Sequence, residues 1–227
     1  MSEHSLISVL EPRLLWQSFV ALNEVPRPSK KEERVIAFML DFAKSLDLAV
    51  DQDAVGNIRV LKPATAGMES LPVVTLQSHL DMVHQKNKET VFDFDLQGIQ
   101  MFLEGDWVKA KGTTLGADNG IGVAAIMALL QSTDIPHGPL EALFTVDEET
   151  GMTGAKGLAE NWLSGKYLLN LDTEDDDEIS MGCAGGIDIT ISASFDTVAL
   201  GIDLVPFQLK IAGLQGGHSG MDIHKGF

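Results

Sequence analysis

Apolar residues recur along the chain with two different periods, and the two periods predict helices that alternate with strands. Helical spacing predicts amphipathic helices over residues 11–24 and, from an N-cap at Ser29, up to residue 46. The run over residues 120–131 is apolar nearly all round, which predicts a buried helix, and a short helix is predicted for residues 157–163. The predicted strands are two within residues 48–60, then 71–79, a hairpin within 92–111, 140–146 and a buried strand over 167–172.

This alternation is typical of an α/β fold. We predict a mixed sheet with helices on both faces in a first domain of residues 1–185. Beyond Gly185-Gly186 the pattern changes to strict alternation in residues 187–195 and 207–211, which predicts strands with one buried face. Residues 186–227 are therefore predicted to begin a separate α+β domain.

Composition narrows the class of protein. The 227 residues are 44% hydrophobic, which is enough to bury a core, and the net charge of -17 disfavours a nucleic-acid partner. Cys183 is the only cysteine, so no internal disulfide can form. The start of the chain lacks the pattern of a signal peptide, and the longest apolar run is too short to cross a bilayer. These features predict a cytoplasmic protein without a membrane partner.

Ligand-type side chains stand where predicted buried segments end or glycine-rich turns begin. Carboxyl ends of strands line the functional crevice of open α/β sheets, so we expect these side chains to lie close together. Imidazole and carboxylate groups are zinc ligands, and a nearby unligated carboxylate can act as a base. The pattern therefore predicts a metal-dependent hydrolase. The residues are His79, Asp81, Asp118, Glu148, Glu149 and Asp172.

Each of these signals has a simpler interpretation when taken alone. A His-x-Asp pair is weak evidence, Asp118 before a helix suits an N-cap, and the Glu148-Glu149 pair suits a solvated loop. Four such segments together make the simpler interpretations improbable. The G-x-G-x-x-A match at residues 120–125 lacks the preceding buried strand of a dinucleotide site, so nucleotide binding is disfavoured. His218, held between glycine pairs, is predicted to be presented to a ligand.

The segments SHLDMV, GTTLGADNGIG, DEETG, NLDTE and GGHSG, in this order, resemble the two-zinc aminoacylase/carboxypeptidase/dipeptidase superfamily. The resemblance is strongest to its bacterial Xaa-His dipeptidases. It implies an exopeptidase catalytic domain followed by an inserted lid domain, whose start is residues 186–227. It also implies hydrolysis of dipeptides, such as carnosine-like Xaa-His substrates, with two zinc ions per complete site that cobalt or manganese can replace. A homodimer is the expected assembly.

The resemblance also implies a role for each residue. His79 and Asp172 would bind one zinc, Glu149 the other, and Asp118 both. Asp81 would orient His79. Glu148 would be the general base for attack by a metal-bound hydroxide, and His218 in the lid would hold the substrate's carbonyl oxygen or carboxylate.

Members of this superfamily are longer than 227 residues, and a segment after the lid brings a further zinc-binding histidine. We therefore expect this chain by itself to hold the zinc of His79, Asp118 and Asp172 more tightly than the other, and to hydrolyse substrate slowly. Two alternatives stay open. The chain is catalytically impaired while keeping its fold and partial metal binding, or it is an aminoacylase or carboxypeptidase of different specificity.

Overall fold

The computed structural model describes residues 3–173, 177–182, 187, 189–196, 199, 201, 203, 205–213 and 224. The chain divides into two compact units, Met1–Glu174 and Asp175–Phe227. The predicted boundary at Gly185-Gly186 lies outside the described residues. No helix among the described residues is both long and apolar enough to cross a membrane.

All the α-helices and β-strands among the described residues lie in the first unit. The helices are α1 (Glu3–Ile7), α2 (Arg13–Asn23), α3 (Glu33–Ser45), α4 (Ala117–Gln131), α5 (Glu148–Gly151) and α6 (Thr153–Lys156). The strands are β1 (Ala49–Gln52), β2 (Ile58–Lys62), β3 (Val74–His79), β4 (Met101–Glu104), β5 (Trp107–Ala110), β6 (Leu140–Thr145) and β7 (Tyr167–Asn170).

Five of the strands form a mixed sheet in the order β1-β2-β6-β3-β7, and β4 and β5 form a separate hairpin. β3 runs parallel to β6 and to β7, whereas β2 runs antiparallel to β6. His79, the last residue of β3, pairs with Thr145, the last of β6. The three parallel strands therefore end at one edge, and the predicted ligand residues follow them there. The predicted α/β class with a mixed sheet is confirmed.

The main core lies between the sheet and the two longest helices. Val35 and Met39 of α3 and Ile126 and Met127 of α4 join one apolar cluster with Phe144 of β6. α4 is buried on most sides, as its apolar sequence predicts. A second cluster joins α1 and α2 to the β4–β5 hairpin. The helix that begins at the glycine-rich loop around Asp118 is therefore anchored in the core along its length.

Several predicted elements differ from the structure. α3 begins at Glu33 with Glu32 as its N-cap residue, so the predicted N-cap at Ser29 is wrong. The Ser29 hydroxyl instead donates to the Met82 carbonyl (3.3 Å). The helix predicted for residues 157–163 is wrong: α5 and α6 come earlier, and Gly157 is the C-cap of α6. β7 is a strand, but it is exposed because it is the edge of the described sheet.

In the second unit, the described residues within 187–195 and 207–211 form no strand, contrary to the alternation in their sequence. Their apolar side chains are exposed, for example Ile191 at 90% and Phe207 at 90%. An alternating segment becomes a strand only when a neighbouring strand satisfies its backbone groups, and no described segment pairs with these two.

Candidate active site

His79 is the centre of the site. Its ring is 1% exposed at the end of β3, and its Nε2 atom lies 3.0 Å from Asp118 Oδ1. The same atom lies 3.7 Å from Asp172 Oδ2 and 4.0 Å from Glu148 Oε2. Each carboxylate comes from a different part of the chain: the start of α4, the segment after β7 and the turn after β6. The structure therefore brings together the side chains that the sequence predicts to meet.

Asp81 is fully buried on the other side of the same ring. Its Oδ1 atom lies 3.4 Å from His79 Nδ1, and its backbone carbonyl lies 3.1 Å from that nitrogen. Its two carboxylate oxygens also accept hydrogen bonds from the backbone amides of Glu148 (3.0 Å) and Glu149 (3.2 Å). Asp81 therefore holds both the imidazole and the turn that carries the two glutamates. This geometry supports the predicted orienting role.

Asp118 lies on a sharp backbone bend at the start of α4. Gly116 precedes it in the left-handed region (φ 69°), and Asp118 is itself extended (φ -81°, ψ 114°). α4 has no side-chain capping hydrogen bond at its start, so the N-cap interpretation of Asp118 is not observed. A residue other than glycine is strained at positive φ. Gly116 therefore allows the turn that aims Asp118 at His79.

Asn119 is a site residue that the sequence reasoning missed. Its side-chain nitrogen donates to Asp172 Oδ1 (2.7 Å) and to the Leu171 carbonyl (3.1 Å). It therefore ties the segment after β7 to the start of α4. The available signal was its position directly after Asp118 in the glycine-rich loop, but nothing in the sequence shows which distant residue the amide reaches.

The turn after β6 is held by hydrogen bonds of the buried Asp147 and Glu32, roles that the sequence reasoning also missed. Asp147 adopts the left-handed conformation (φ 51°), and its amide donates to Glu32 Oε1 (3.0 Å). The hydroxyls of Thr150 and Thr153 donate to the Asp147 carboxylate. With Asp81 holding the next two amides, the backbone of the Glu148-Glu149 pair is held from both sides.

His79 and Asp81 form an ion pair in the metal-free protein. Burial lowers the pKa of His79, but hydrogen bonds to Asp118 and Asp81 outweigh burial and raise the pKa to about 10. Burial raises the pKa of Asp81, but hydrogen bonds from His79 and from the Glu148 amide outweigh burial and lower it to about 2. The imidazolium thus places a positive charge among the carboxylates.

Three further carboxyl groups hold their protons more tightly than usual. Burial, followed by the charge of Asp118, raises the pKa of Glu149 to about 7. Burial is also the main cause that raises the pKa values of Glu148 and Asp172. Negative charge is therefore crowded in a partly desolvated site, and a bound divalent cation would relieve this crowding.

The donor set fits metal ions. Ligand atoms of His79, Asp118 and Asp172 lie within 4.8 Å of one another, and so do those of His79, Glu148 and Glu149. The first group is the predicted set for one zinc, and its imidazole and carboxylate donors are those zinc accepts. Both glutamates lie near His79, so their division into ligand and base stays a prediction. The predicted substrate contact, His218, lies outside the described residues.

Comparisons with known proteins identify relatives. Residues 75–216 match the model of "Peptidase family M20/M25/M40". The chain is 50% identical over 222 residues to the cytosol non-specific dipeptidase of Escherichia coli K12, covering 98% of this chain and 46% of that protein. The chain therefore spans about half the length of this relative.

Solved structures show the same relationship. A crystal structure of aminoacylhistidine dipeptidase from Vibrio alginolyticus superposes with a TM-score of 0.74 and 50% identity over 75% of this chain and 35% of that chain. Aminopeptidase PepT from Bacillus cereus superposes with a TM-score of 0.62 and 26% identity over 73% of this chain and 44% of that one. The resemblance seen in the sequence motifs is confirmed.

Proposed function

Because the chain belongs to peptidase family M20/M25/M40, we propose that it carries the metal centre of a zinc-dependent dipeptidase. The observation that carries the proposal is the buried His79 ring, whose Nε2 atom faces Asp118, Asp172 and Glu148 at 3.0–4.0 Å. An imidazole nitrogen surrounded by carboxylates at the carboxyl ends of parallel strands is the arrangement a hydrolytic metal site needs.

We assign the metal ligands as the resemblance implies: His79 and Asp172 to one zinc, Glu149 to the other, and Asp118 to both. Two properties of the metal-free site support this assignment. His79, Asp118 and Asp172 already lie within ligand distance of one another. Burial is the main cause that raises the pKa of Glu149 and the charge of Asp118 is the next, so a cation held near both carboxylates would be favoured.

The chain's own residues divide the remaining chemistry. Zinc ions bound here would supply an activated water and polarise the peptide carbonyl. The backbone carbonyl of Asp81 accepts the Nδ1 hydrogen of His79, and the Asp81 carboxylate lies 3.4 Å from the same nitrogen, so Nε2 would be the atom that binds zinc. Glu148 takes the proton of the attacking water and delivers it to the leaving amine. Burial raises its pKa toward the working pH, which suits a general base.

We propose dipeptides as the substrate class and Xaa-His dipeptides, such as carnosine-like compounds, as the preferred members. The name of the Vibrio relative supports the preference for histidine, whereas the E. coli relative is named as non-specific. His218, on the proposed lid beyond residue 185, would contact the substrate's carbonyl oxygen or carboxylate. The cytosolic naming of the E. coli relative supports a cytoplasmic location. A homodimer stays a prediction that light scattering can test.

A substrate panel on the full-length protein tests the proposal. The zinc-loaded protein is assayed with Xaa-His dipeptides, other dipeptides, tripeptides and N-acetyl amino acids, with Glu148→Gln as the matched inactive control. We expect zinc-dependent release of free amino acids from dipeptides that the control does not show. Preference for N-acetyl amino acids would favour an aminoacylase. Absence of zinc-dependent hydrolysis of every substrate would overturn the proposed function.

A further inference from the structure

Arg27 is a buried cation beside the proposed metal site, and none of the roles assigned above to the metal ligands and the base explains its presence. It lies between Pro26 and Pro28, after the end of α2, and is 1% exposed. Its Nη1 donates to the carbonyls of Leu80 (3.0 Å) and Asp81 (3.2 Å). Its Nη2 donates to the Gly116 carbonyl (2.6 Å) and to Asn23 Oδ1 (3.0 Å).

Three of these four acceptors are backbone atoms beside metal-site residues. Leu80 and Asp81 directly follow His79, and Gly116 comes two residues before Asp118. One planar guanidinium thus joins the end of β3 to the loop that starts α4. His79 and Asp118 lie on these two segments, and the gap between His79 Nε2 and Asp118 Oδ1 is 3.0 Å.

Two glycines make the space for this group. A Cβ atom at Gly116 would lie 2.5 Å from Arg27 Nη2, and one at Gly120 would lie 2.6 Å from it. Real Cβ atoms do not approach other heavy atoms so closely, so a side chain at either position would displace the guanidinium or the backbone around it. The glycines at positions 116 and 120 therefore leave the space that the Arg27 guanidinium occupies.

Arg27 also places positive charge among the carboxylates without a direct carboxylate hydrogen bond. Its four acceptors are all neutral oxygens. Burial lowers its pKa to about 10, against the opposing charges of Asp81, Asp118 and Glu149, so it is charged at neutral pH. A buried charge paired with neutral groups costs free energy, and such costs persist where a group is needed for function.

We propose that Arg27 is a positioning residue that sets the distance between His79 and Asp118 and so assembles the metal site before metal binds. This inference rests on the proposed function for its consequence. If the hydrogen bonds of Arg27 are lost, His79 and Asp118 are held less firmly, and the affinity for a metal that both residues bind falls. Lysine keeps the charge but cannot make the forked contacts of a guanidinium. The substitution Arg27→Lys therefore separates geometry from charge.

Arg59 provides a matched control. It is also a largely buried arginine. It pairs with Asp51 (2.6 Å) and lies over the Trp162 ring (5.1 Å from the centroid), and no carbonyl that Arg27 clamps is among its partners. Arg59→Lys should therefore disturb packing without moving His79 or Asp118.

The experiment uses the full-length protein and compares wild type, Arg27→Lys and Arg59→Lys. Zinc affinity is measured by competition with a chromophoric chelator, kcat and KM with a dipeptide, and amide hydrogen exchange with the metal-free proteins. We expect Arg27→Lys to lose about 10- to 100-fold in zinc affinity and in kcat, with KM little changed. Its exchange should accelerate at residues 80–82 and 116–120. Arg59→Lys should leave zinc affinity and kcat near wild type.

Two results would overturn the inference. One is wild-type zinc affinity and kcat in Arg27→Lys, and the other is equal zinc-affinity loss in both variants. If wild type neither binds zinc nor hydrolyses dipeptides, the proposed function fails, and the exchange data still decide the inference. Unchanged exchange at residues 80–82 and 116–120 would then reject it, and selective acceleration there would support it.

Discussion

The proton on His79 competes directly with metal, because both need the same Nε2 atom. Hydrogen bonds to Asp118 and Asp81 raise the pKa of His79 to about 10, so the metal-free ring is protonated at pH 8. We predict that binding of zinc to His79, Asp118 and Asp172 at pH 8 releases about one proton from this ring. Calorimetry in buffers with different ionisation enthalpies measures the number directly. Zinc affinity should also rise with pH up to about 10, and no proton release at pH 8 would show that the ring is neutral.

Glu148 and Glu149 are adjacent, and their isosteric amides should separate their roles. Glu148→Gln should keep two zinc ions and lower kcat by about 10²- to 10⁴-fold, because a general base is lost. Glu149→Gln should lose about one zinc, because glutamine is a poor substitute for a carboxylate ligand. Metal analysis and steady-state kinetics on the full-length protein give both readouts. Equal metal loss in the two variants would show that the assignment is wrong.

Asn119 should matter for the metal through Asp172. Asn119→Ala removes the 2.7 Å hydrogen bond to Asp172 Oδ1 and the bond to the Leu171 carbonyl, so the carboxylate loses its fixed position. We predict about 10- to 100-fold weaker binding of the zinc that His79, Asp118 and Asp172 would hold. The control is Gln131→Ala at the other end of α4, which removes a side-chain bond to Ser18 far from the site. Similar zinc affinity in both variants would contradict the positioning role.

Sequence reasoning found the residues that interrupt apolar patterns and missed those whose role depends on a distant partner. His79 and Glu148 are visible because each ends or follows an apolar run. Arg27 and Glu32 lie in a polar-looking segment, and the sequence does not show that Arg27 reaches Gly116 or that Glu32 reaches the Asp147 amide. Such contacts link residues 89 and 115 positions apart, which local patterns do not encode.

At the scale of elements, α4 connects the site to the core, and its buried face should determine stability. Ile126 is fully buried in the main cluster, so Ile126→Ala should lower the free energy of unfolding by about 2–5 kcal/mol. Ile121, on the same helix, is partly exposed, and Ile121→Ala should change it by less than about 1 kcal/mol. Urea denaturation of the metal-free proteins compares them. Equal losses would show that the helix is not anchored through Ile126.

The predicted burial of β7 and the predicted strand within residues 187–195 differ from the structure for the same physical reason. The type of β7 was predicted correctly because Tyr167, Leu168 and Leu169 form an apolar run of strand length, but the prediction of burial assumed neighbours on both sides. The alternating segment of residues 187–195 lacks a partner strand among the described residues. Periodicity reports what a segment would bury, whereas pairing depends on which other segments are present.

At the scale of the whole molecule, the metal-free protein should be most stable in mild acid. Glu149 has a folded pKa of about 7, above its usual 4.5. It therefore stabilises the folded state fully below pH 4.5, and this stabilisation is lost as pH rises through 7. The raised pKa of His79 extends this loss toward pH 10. The pKa of Asp81 is lowered to about 2, so Asp81 stabilises the folded state fully above pH 3.8, and this stabilisation is lost as pH falls through 2. The three together place the optimum near pH 4–5.

Urea unfolding at pH 5, 6, 7 and 8 tests this dependence. The free energy of unfolding of the chelator-treated protein should fall from pH 5 to pH 8. Zinc should reduce or reverse the fall, because it replaces the protons that the carboxylates and His79 hold in its absence. A metal-free stability that rises over this range would contradict the charge balance described here.

Asp172 follows β7, which pairs with β3 and with no other described strand, and Tyr167, Leu168 and Leu169 of β7 are each 53% exposed. Segments with few buried contacts open locally at a free energy below that of global unfolding. The proposed zinc ligand Asp172 therefore lies beside an exposed edge strand, and release of the ion and opening of that strand would become one linked equilibrium. Any segment that pairs with the side of β7 opposite β3 would strengthen metal binding, and metal would in turn strengthen that pairing by the same factor.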